Sequence, residues 1–162
     1  MSVGTRSSRV PVLGDNGASL VELVVALPVL LAIVVGTIDF SRVFYTAIEV
    51  TTAARAGAQY GIAQASNTSD VTGMKTAASN ASPDLSLSAG ATAAGRVCEC
   101  VANGDVTSRS SAGTCSSSDC TGSTHLVISV TVTTVKAFTM IAFYPGVPRT
   151  LTITRAAMMR WQ

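Results

Sequence analysis

The fold turns on LVVALPVLLAIVVGTI, residues 23–38. Thirteen of these sixteen residues are aliphatic and none is charged, while a lone carboxylate, Glu22, stands at the mouth of the run. Counted from Ala18, the apolar stretch has 21 residues, close to the roughly 20 that a helix needs to cross the hydrocarbon of a bilayer. Pro28 would break such a helix in water but is tolerated as a kink in lipid. A carboxylate at the edge of this run is costly and needs a reason. Upstream, Arg6 and Arg9 outweigh Asp15, so residues 1–17 stay cytoplasmic and the remainder is exported. A cleaved secretory signal ending at Gly36 is the competing reading. The helical pattern continues well past Gly36, which a discarded signal does not require.

Residues 1–17 are polar, aperiodic and read as a leader. Asp15-Asn16-Gly17-Ala18-Ser19 supplies helix-start chemistry. From Asp39 the pattern turns amphipathic. Phe40, Val43, Phe44, Ala47, Val50, Ala54, Gly57, Ala58 and Gly61 recur at steps of three and four, as one face of a helix does. One helix is therefore expected over residues 18–63, about 70 Å long at 1.5 Å per residue. Its first half suits lipid or other helices, and its second half carries a soluble domain. Asp39 and Arg42 are spaced to pair at i,i+3. The small residues of AARAGAQYG, residues 53–61, let a sheet or a second helix approach closely.

Residues 64–95 are rich in Ala, Ser, Thr, Asn and Gly. A short helix is expected over 70–80, ending before Pro83, and Leu85 and Leu87 alternate as if opening a strand. Farther on, Leu126, Ile128, Val130 and Val132 alternate with Val127, Ser129, Thr131 and Thr133. That is a strand with one buried face and one Thr-rich wet face. Leu151, Ile153 and Ala157, with Thr150, Thr152 and Thr154, repeat it. Between them AFTMIAFYPGVP, residues 137–148, reads as a loop with apolar content. It is either a partner surface or a flap over the sheet edge.

Four cysteines stand at Cys98, Cys100, Cys115 and Cys120. An exported domain meets an oxidising compartment, which favours disulfides. Four cysteines allow three pairings. Strand neighbours two apart are too far for an easy Cys98–Cys100 bridge. If the segment is one hairpin, the nested pairs Cys98–Cys120 and Cys100–Cys115 follow. The intervening ANGDVTSRSSAGT is too polar to pack and needs cross-links to hold it. A four-thiolate zinc site is the rival, but zinc modules favour C-x2-C pairs.

The chain is 48% hydrophobic and 12% charged, with a net charge of +2. Its Lys and Arg are scattered and its aromatics sparse, so direct nucleic-acid binding has no footprint. The single His125 opens a β run, and no Ser-His-Asp set or phosphate loop can be assembled. Asp70, Asp84, Asp105 and Asp119 sit in turn-like sequence suited to capping. No enzyme, metal or cofactor is expected.

Gly17-Ala18-Ser19-Leu20-Val21-Glu22 before an aliphatic run resembles a class III prepilin signal. In that class a membrane peptidase cuts after the glycine and the apolar helix is retained. More narrowly, the chain is similar to TadE-like proteins, minor pilins or pseudopilins of the tight-adherence (type IVc) pilus. The resemblance rests on GASLVELVVALPVLL (17–31), IDFSRVFY (38–45) and TAARAGAQYG (52–61). Asp39, Phe40 and Arg42 match the family's acid-aromatic-x-Arg step. Ala53, Ala54, Arg55, Gly57 and Ala58 match its A-A-R-x-G-A-like step. Leu23 stands where major pilins of that system carry an aromatic, which argues against a major pilin.

The resemblance implies a pilin-like α+β fold: a long N-terminal transmembrane helix with a small antiparallel β-sheet domain. It implies a leader over 1–17, a helix over 18–63 and an exported disulfide-bonded domain over 64–162. It further implies residence in the bacterial inner membrane as a single-pass protein, its C-terminal domain outside the cytoplasm. The expected partners are a prepilin peptidase, other pilins and pilus assembly proteins. Gly17, Ala18 and Glu22 would form the processing site. Cleavage would put Glu22 at mature position five, where the freed amine of a neighbouring copy could neutralise it, fixing register as a buried polar residue does in a coiled coil. The plainer alternatives are that Glu22 merely snorkels, and that the chain is an uncleaved, signal-anchored extracytoplasmic binding module.

Overall fold

The computed structural model describes residues 16–87, 92–110 and 114–161. Most of the leader expected over 1–17 lies outside the described residues. The fold is α+β, a long apolar N-terminal helix followed by a small antiparallel sheet. Helix α1 runs Asn16–Ala63 without a break. The chain divides into two units, one ending at Ile38 and the other comprising Asp39–Gln162.

The first unit is the apolar run. Leu20, Val24, Val25, Val29 and Ile33 are each exposed by 60% or more. The helix is long and apolar enough to cross a membrane. The Thr37 hydroxyl donates to the Ile33 carbonyl at 2.8 Å, satisfying that polar group within the helix, as an apolar surrounding demands.

The second unit packs the rest of α1, a short helix α2 (Val71–Ala81) and a four-stranded sheet. The strands are β1 (Thr92–Ala102), β2 (Asp105–Ser110), β3 (His125–Thr139) and β4 (Thr150–Trp161), in the order β2-β1-β3-β4, all antiparallel. Asp70 caps α2 by accepting the Gly73 N–H at 2.8 Å, as an N-cap aspartate does. The strand expected to open at Leu85 is instead a 3-10 turn, Pro83–Leu85. Proline favours the first turn of a helix, and Leu85 is buried in the core beside Val50, Phe138 and Ile153. A second core holds Ala58, Met74, Val130 and Val132. Val50, Val130 and Val132 are fully buried, each worth about 1.5–3 kcal/mol relative to exposure.

Strand β3 runs antiparallel beside α1. Val130 meets Gly61, Val132 meets Gly57, the Thr134 hydroxyl donates to the Val50 carbonyl at 2.8 Å, and Ile141 bonds Asp39. Twenty-two residues of helix, about 33 Å, thus lie alongside eleven residues of chain at strand spacing, about 36 Å. The two rises match closely enough to keep both elements in contact throughout.

The polar segment after Cys100 is not an unstructured loop. Asn103 and Gly104 take φ of 52° and 91°, the paired positive values of a type I′ turn, for which Asn-Gly is favoured. β2 then returns beside β1 with every residue exposed. This corrects the nested disulfide pairing. The bridges are Cys98–Cys115 and Cys100–Cys120. β2 already makes the antiparallel return, ending with Ser110 opposite Cys98. The chain must then travel back toward His125, which pairs with Val101. On that third pass Cys115 reaches the level of Cys98 first, and Cys120 the level of Cys100 second.

Candidate functional site

Asp39 is the first residue after the apolar run, and in the folded unit it is buried to 3% exposure. A helix offers its own acid no spare backbone donors at this point, so the partners come from elsewhere. The N–H groups of Ile141 and Ala142 donate to its two carboxylate oxygens at 3.1 Å each, and the Tyr144 hydroxyl donates at 3.2 Å. Arg42 approaches at 3.4 Å. Burial pushes the Asp39 carboxyl upward, but the Ile141 and Ala142 N–H groups, with Tyr144 and Arg42, outweigh it and hold the group below the ordinary aspartate range. Burial and the bond to Asp39 push the Tyr144 phenol up. Arg42 also lies 5.1 Å above the Phe138 ring, a cation–π distance. So Asp39 grips the loop that links β3 to β4, while Arg42, spaced to pair with it on the helix surface, rests on Phe138 near the end of β3. That loop is shorter than expected, because β3 continues to Thr139 and Phe138 is core. One sign was present in the sequence: an acid directly abutting an apolar run needs donors.

The small-residue seam lies farther along α1. A Cβ on Gly57 would come within 2.8 Å of the Met74 carbonyl oxygen and 3.0 Å of Val132 Cγ1. A Cβ on Gly61 would meet Val130 Cγ1 at 2.7 Å and Met74 Sδ at 2.8 Å. Both α2 and β3 therefore press on α1 here, with Ala53, Ala54 and Ala58 also buried. Tyr60 donates its hydroxyl to Asp70 at 2.9 Å, which ties α1 to the cap of α2. Arg55 points away from this seam. It is exposed and borders a groove with Phe44, Ile48 and Arg155.

In the first unit, Gly17 and Ala18 lie in the opening turns of α1, and Glu22 is exposed one turn on. A Cβ at Gly17 would meet nothing within 4 Å. These residues and the Asp39–Arg42 and Arg55–Gly57 steps thus lie along one continuous helix. Residues 17–59 match the TadE-like protein family. Comparison with curated proteins and with solved structures yields no match. The TadE-like stretch holds Gly17, Glu22, Asp39, Arg42, Arg55 and Gly57, and ends before the sheet.

The most consequential residue that the sequence reading passed over is Glu99. It is fully buried on β1. Its carboxylate lies 2.7 Å from Arg109 Nη2 and 3.6 Å from Arg160 Nε, and it accepts from the Ser129 hydroxyl at 2.9 Å. These partners come from β2, β4 and β3, so one acid ties all four strands. Its cross-strand neighbours become visible only once the register is known. Among the described residues, no group of three or more His, Cys, Asp or Glu is placed to hold a metal.

Proposed function

We propose that this chain is a minor pilin or pseudopilin-like subunit of a tight-adherence pilus, held in the inner membrane by residues 18–38 with its folded unit outside the cytoplasm. The observation that carries the reading is an apolar stretch of helix, its large aliphatic side chains exposed, that follows Gly17-Ala18 and Glu22 and continues as one helix into residues 39–63. A soluble protein does not leave twelve large aliphatic side chains bare along one stretch of helix. The TadE-like match over the same segment supports the pilus assignment.

On this reading residues 1–17 are a leader, and a prepilin peptidase cuts between Gly17 and Ala18. Glu22 then stands four residues from the new amine. In a bundle of parallel helices, the amine of one copy and the carboxylate of another satisfy each other where either alone is costly. Other pilins and assembly proteins are the partners that such a helix requires. The folded unit makes the subunit a carrier of surface, and its work is structural.

Gly17→Val tests this. The glycine touches nothing, so the fold should survive. Intact-mass measurement of protein from cells should find the variant heavier than the parent by the 17-residue leader, apart from the substitution itself. Otherwise equal masses would sink the processing step. A parent that retains residues 1–17 would favour the signal-anchored binding module instead.

A further inference from the structure

The loop between β3 and β4, residues 140–149, carries Ile141, Phe143 and Val147 at 61%, 78% and 40% exposure. Phe143 is the most exposed large apolar side chain among the described residues. The loop is nonetheless well tied. Met140 N–H donates to the Arg149 carbonyl at 3.0 Å and Val147 N–H to the Tyr144 carbonyl at 3.1 Å, while Asp39 holds Ile141, Ala142 and Tyr144. A braced loop that presents bare apolar side chains is built to bury them in something else.

Its position says in what. The anchor, Asp39, directly follows Ile38, the last residue of the apolar run, and one helical residue rises only about 1.5 Å. β3 delivers the chain to Asp39, where Ile141, Ala142 and Tyr144 bond its carboxylate. The loop contains no acid, includes Tyr144 and ends in exposed Arg149. Apolar tip, interfacial tyrosine and flanking arginine together form the composition of a segment seated at a bilayer surface. The arginine suits anionic headgroups.

We propose that the β3–β4 loop is a second membrane contact, with Ile141 and Phe143 inserted at the boundary between headgroups and acyl chains. The bilayer is the one that residues 18–38 cross, so the inference rests on the spanning reading given above. The hydrogen bonds of Asp39 then have a purpose beyond folding: they fix the loop at the depth where the helix leaves lipid. The folded unit is held at two points.

The test uses the full chain in phosphatidylethanolamine–phosphatidylglycerol vesicles of two kinds, with acyl chains brominated near the headgroup end or near the methyl end. Parent protein, with Trp161 alone, supplies the background fluorescence. Phe143→Trp and Ile141→Trp report the loop, Leu30→Trp the apolar run, and Ser108→Trp the exposed strand β2. All four sites are exposed, so none disturbs the core. Added fluorescence from Phe143→Trp and Ile141→Trp should be quenched by brominated relative to plain lipid as that of Leu30→Trp is, and more than that of Ser108→Trp. If Leu30→Trp is quenched and the loop variants behave like Ser108→Trp, the loop faces water or a protein and the proposal is overturned while the span stands. If Leu30→Trp is also unquenched, the span fails and the proposal with it.

Discussion

Gly57→Ala sets two physical effects of opposite sign against each other. In an exposed helix interior the change would stabilise by about 1 kcal/mol, because glycine is the poorer helix former. Here the new methyl would sit 2.8 Å from the Met74 carbonyl oxygen, 3.0 Å from Val132 Cγ1 and 3.3 Å from Ala78 Cβ. The first of these belongs to the backbone of α2, which cannot swing aside as a side chain can. Helix α2 must therefore shift by some tenths of an ångström, loosening Met74 against Ala58, Val130 and Val132. Overpacking of this kind costs about 1–3 kcal/mol. The packing penalty wins, leaving a net loss of about 1 kcal/mol, or roughly 4 °C in Tm for a unit of this size.

Gly61→Ala should cost less, because its close neighbours are Val130 Cγ1 and the flexible end of Met74. Gly95→Ala is the control: nothing lies within 4 Å, and it should be neutral or mildly stabilising. The assay is thermal unfolding of the full chain in detergent, followed by near-UV circular dichroism. A Gly57→Ala protein more stable than the parent would refute the close approach of α2 and β3 to α1.

Three further outcomes follow from the same contacts. Replacing Cys98 and Cys115 together by serine should cost about 3 kcal/mol in guanidinium unfolding, and peptide mapping without reduction of the parent should recover Cys98 with Cys115 and Cys100 with Cys120, not the nested pairs Cys98–Cys120 and Cys100–Cys115. Glu99→Gln should destabilise by about 2 kcal/mol, since it leaves Arg109 and Arg160 facing a neutral amide, and a double change with Arg109→Gln should cost less than the two singles combined. Asp70 is held below its ordinary range first by the Gly73 N–H and then by the Tyr60 hydroxyl, and Asp39 is lowered too. A carboxyl that is more acidic folded than unfolded stabilises fully above the unfolded value, about 3.9, and loses that contribution as pH falls through the folded one. Asp70→Asn should accordingly flatten the fall in stability below about pH 4, measured by denaturant midpoint against pH.

The elements with strong periodicity were legible from composition alone. The apolar run, the amphipathic continuation from Asp39, the helix before Pro83 and the Thr/Val strands each carry their own burial pattern in sequence. The cystine pairing was not legible, because it depends on how many times the chain passes β1. That number hung on whether the turn at Asn103-Gly104-Asp105 lies within one polar loop or closes a short hairpin of its own, as it does between β1 and β2. Leu85 misled because a leucine two residues after a proline fits a 3-10 turn as well as a strand. Asp39 was seen as half of a local pair, since its main donors lie about a hundred residues away. Glu99 has no signature in one dimension. A buried acid is recognisable only when the arginines of other strands are brought to it.

The pitch match between α1 and β3 constrains how relatives of this chain can differ in length. Removing four residues from the helix between Val43 and Gly57 draws its ends about 6 Å closer. Removing two from the facing strand shortens that by about 6.6 Å and leaves its inner and outer faces unchanged. A single-residue deletion in the strand would turn Val130 and Val132 to solvent, and no whole number of helical turns repairs that. Insertions and deletions in this unit should therefore arrive as compensating sets of four and two, and the seam would otherwise behave as a ruler of fixed length.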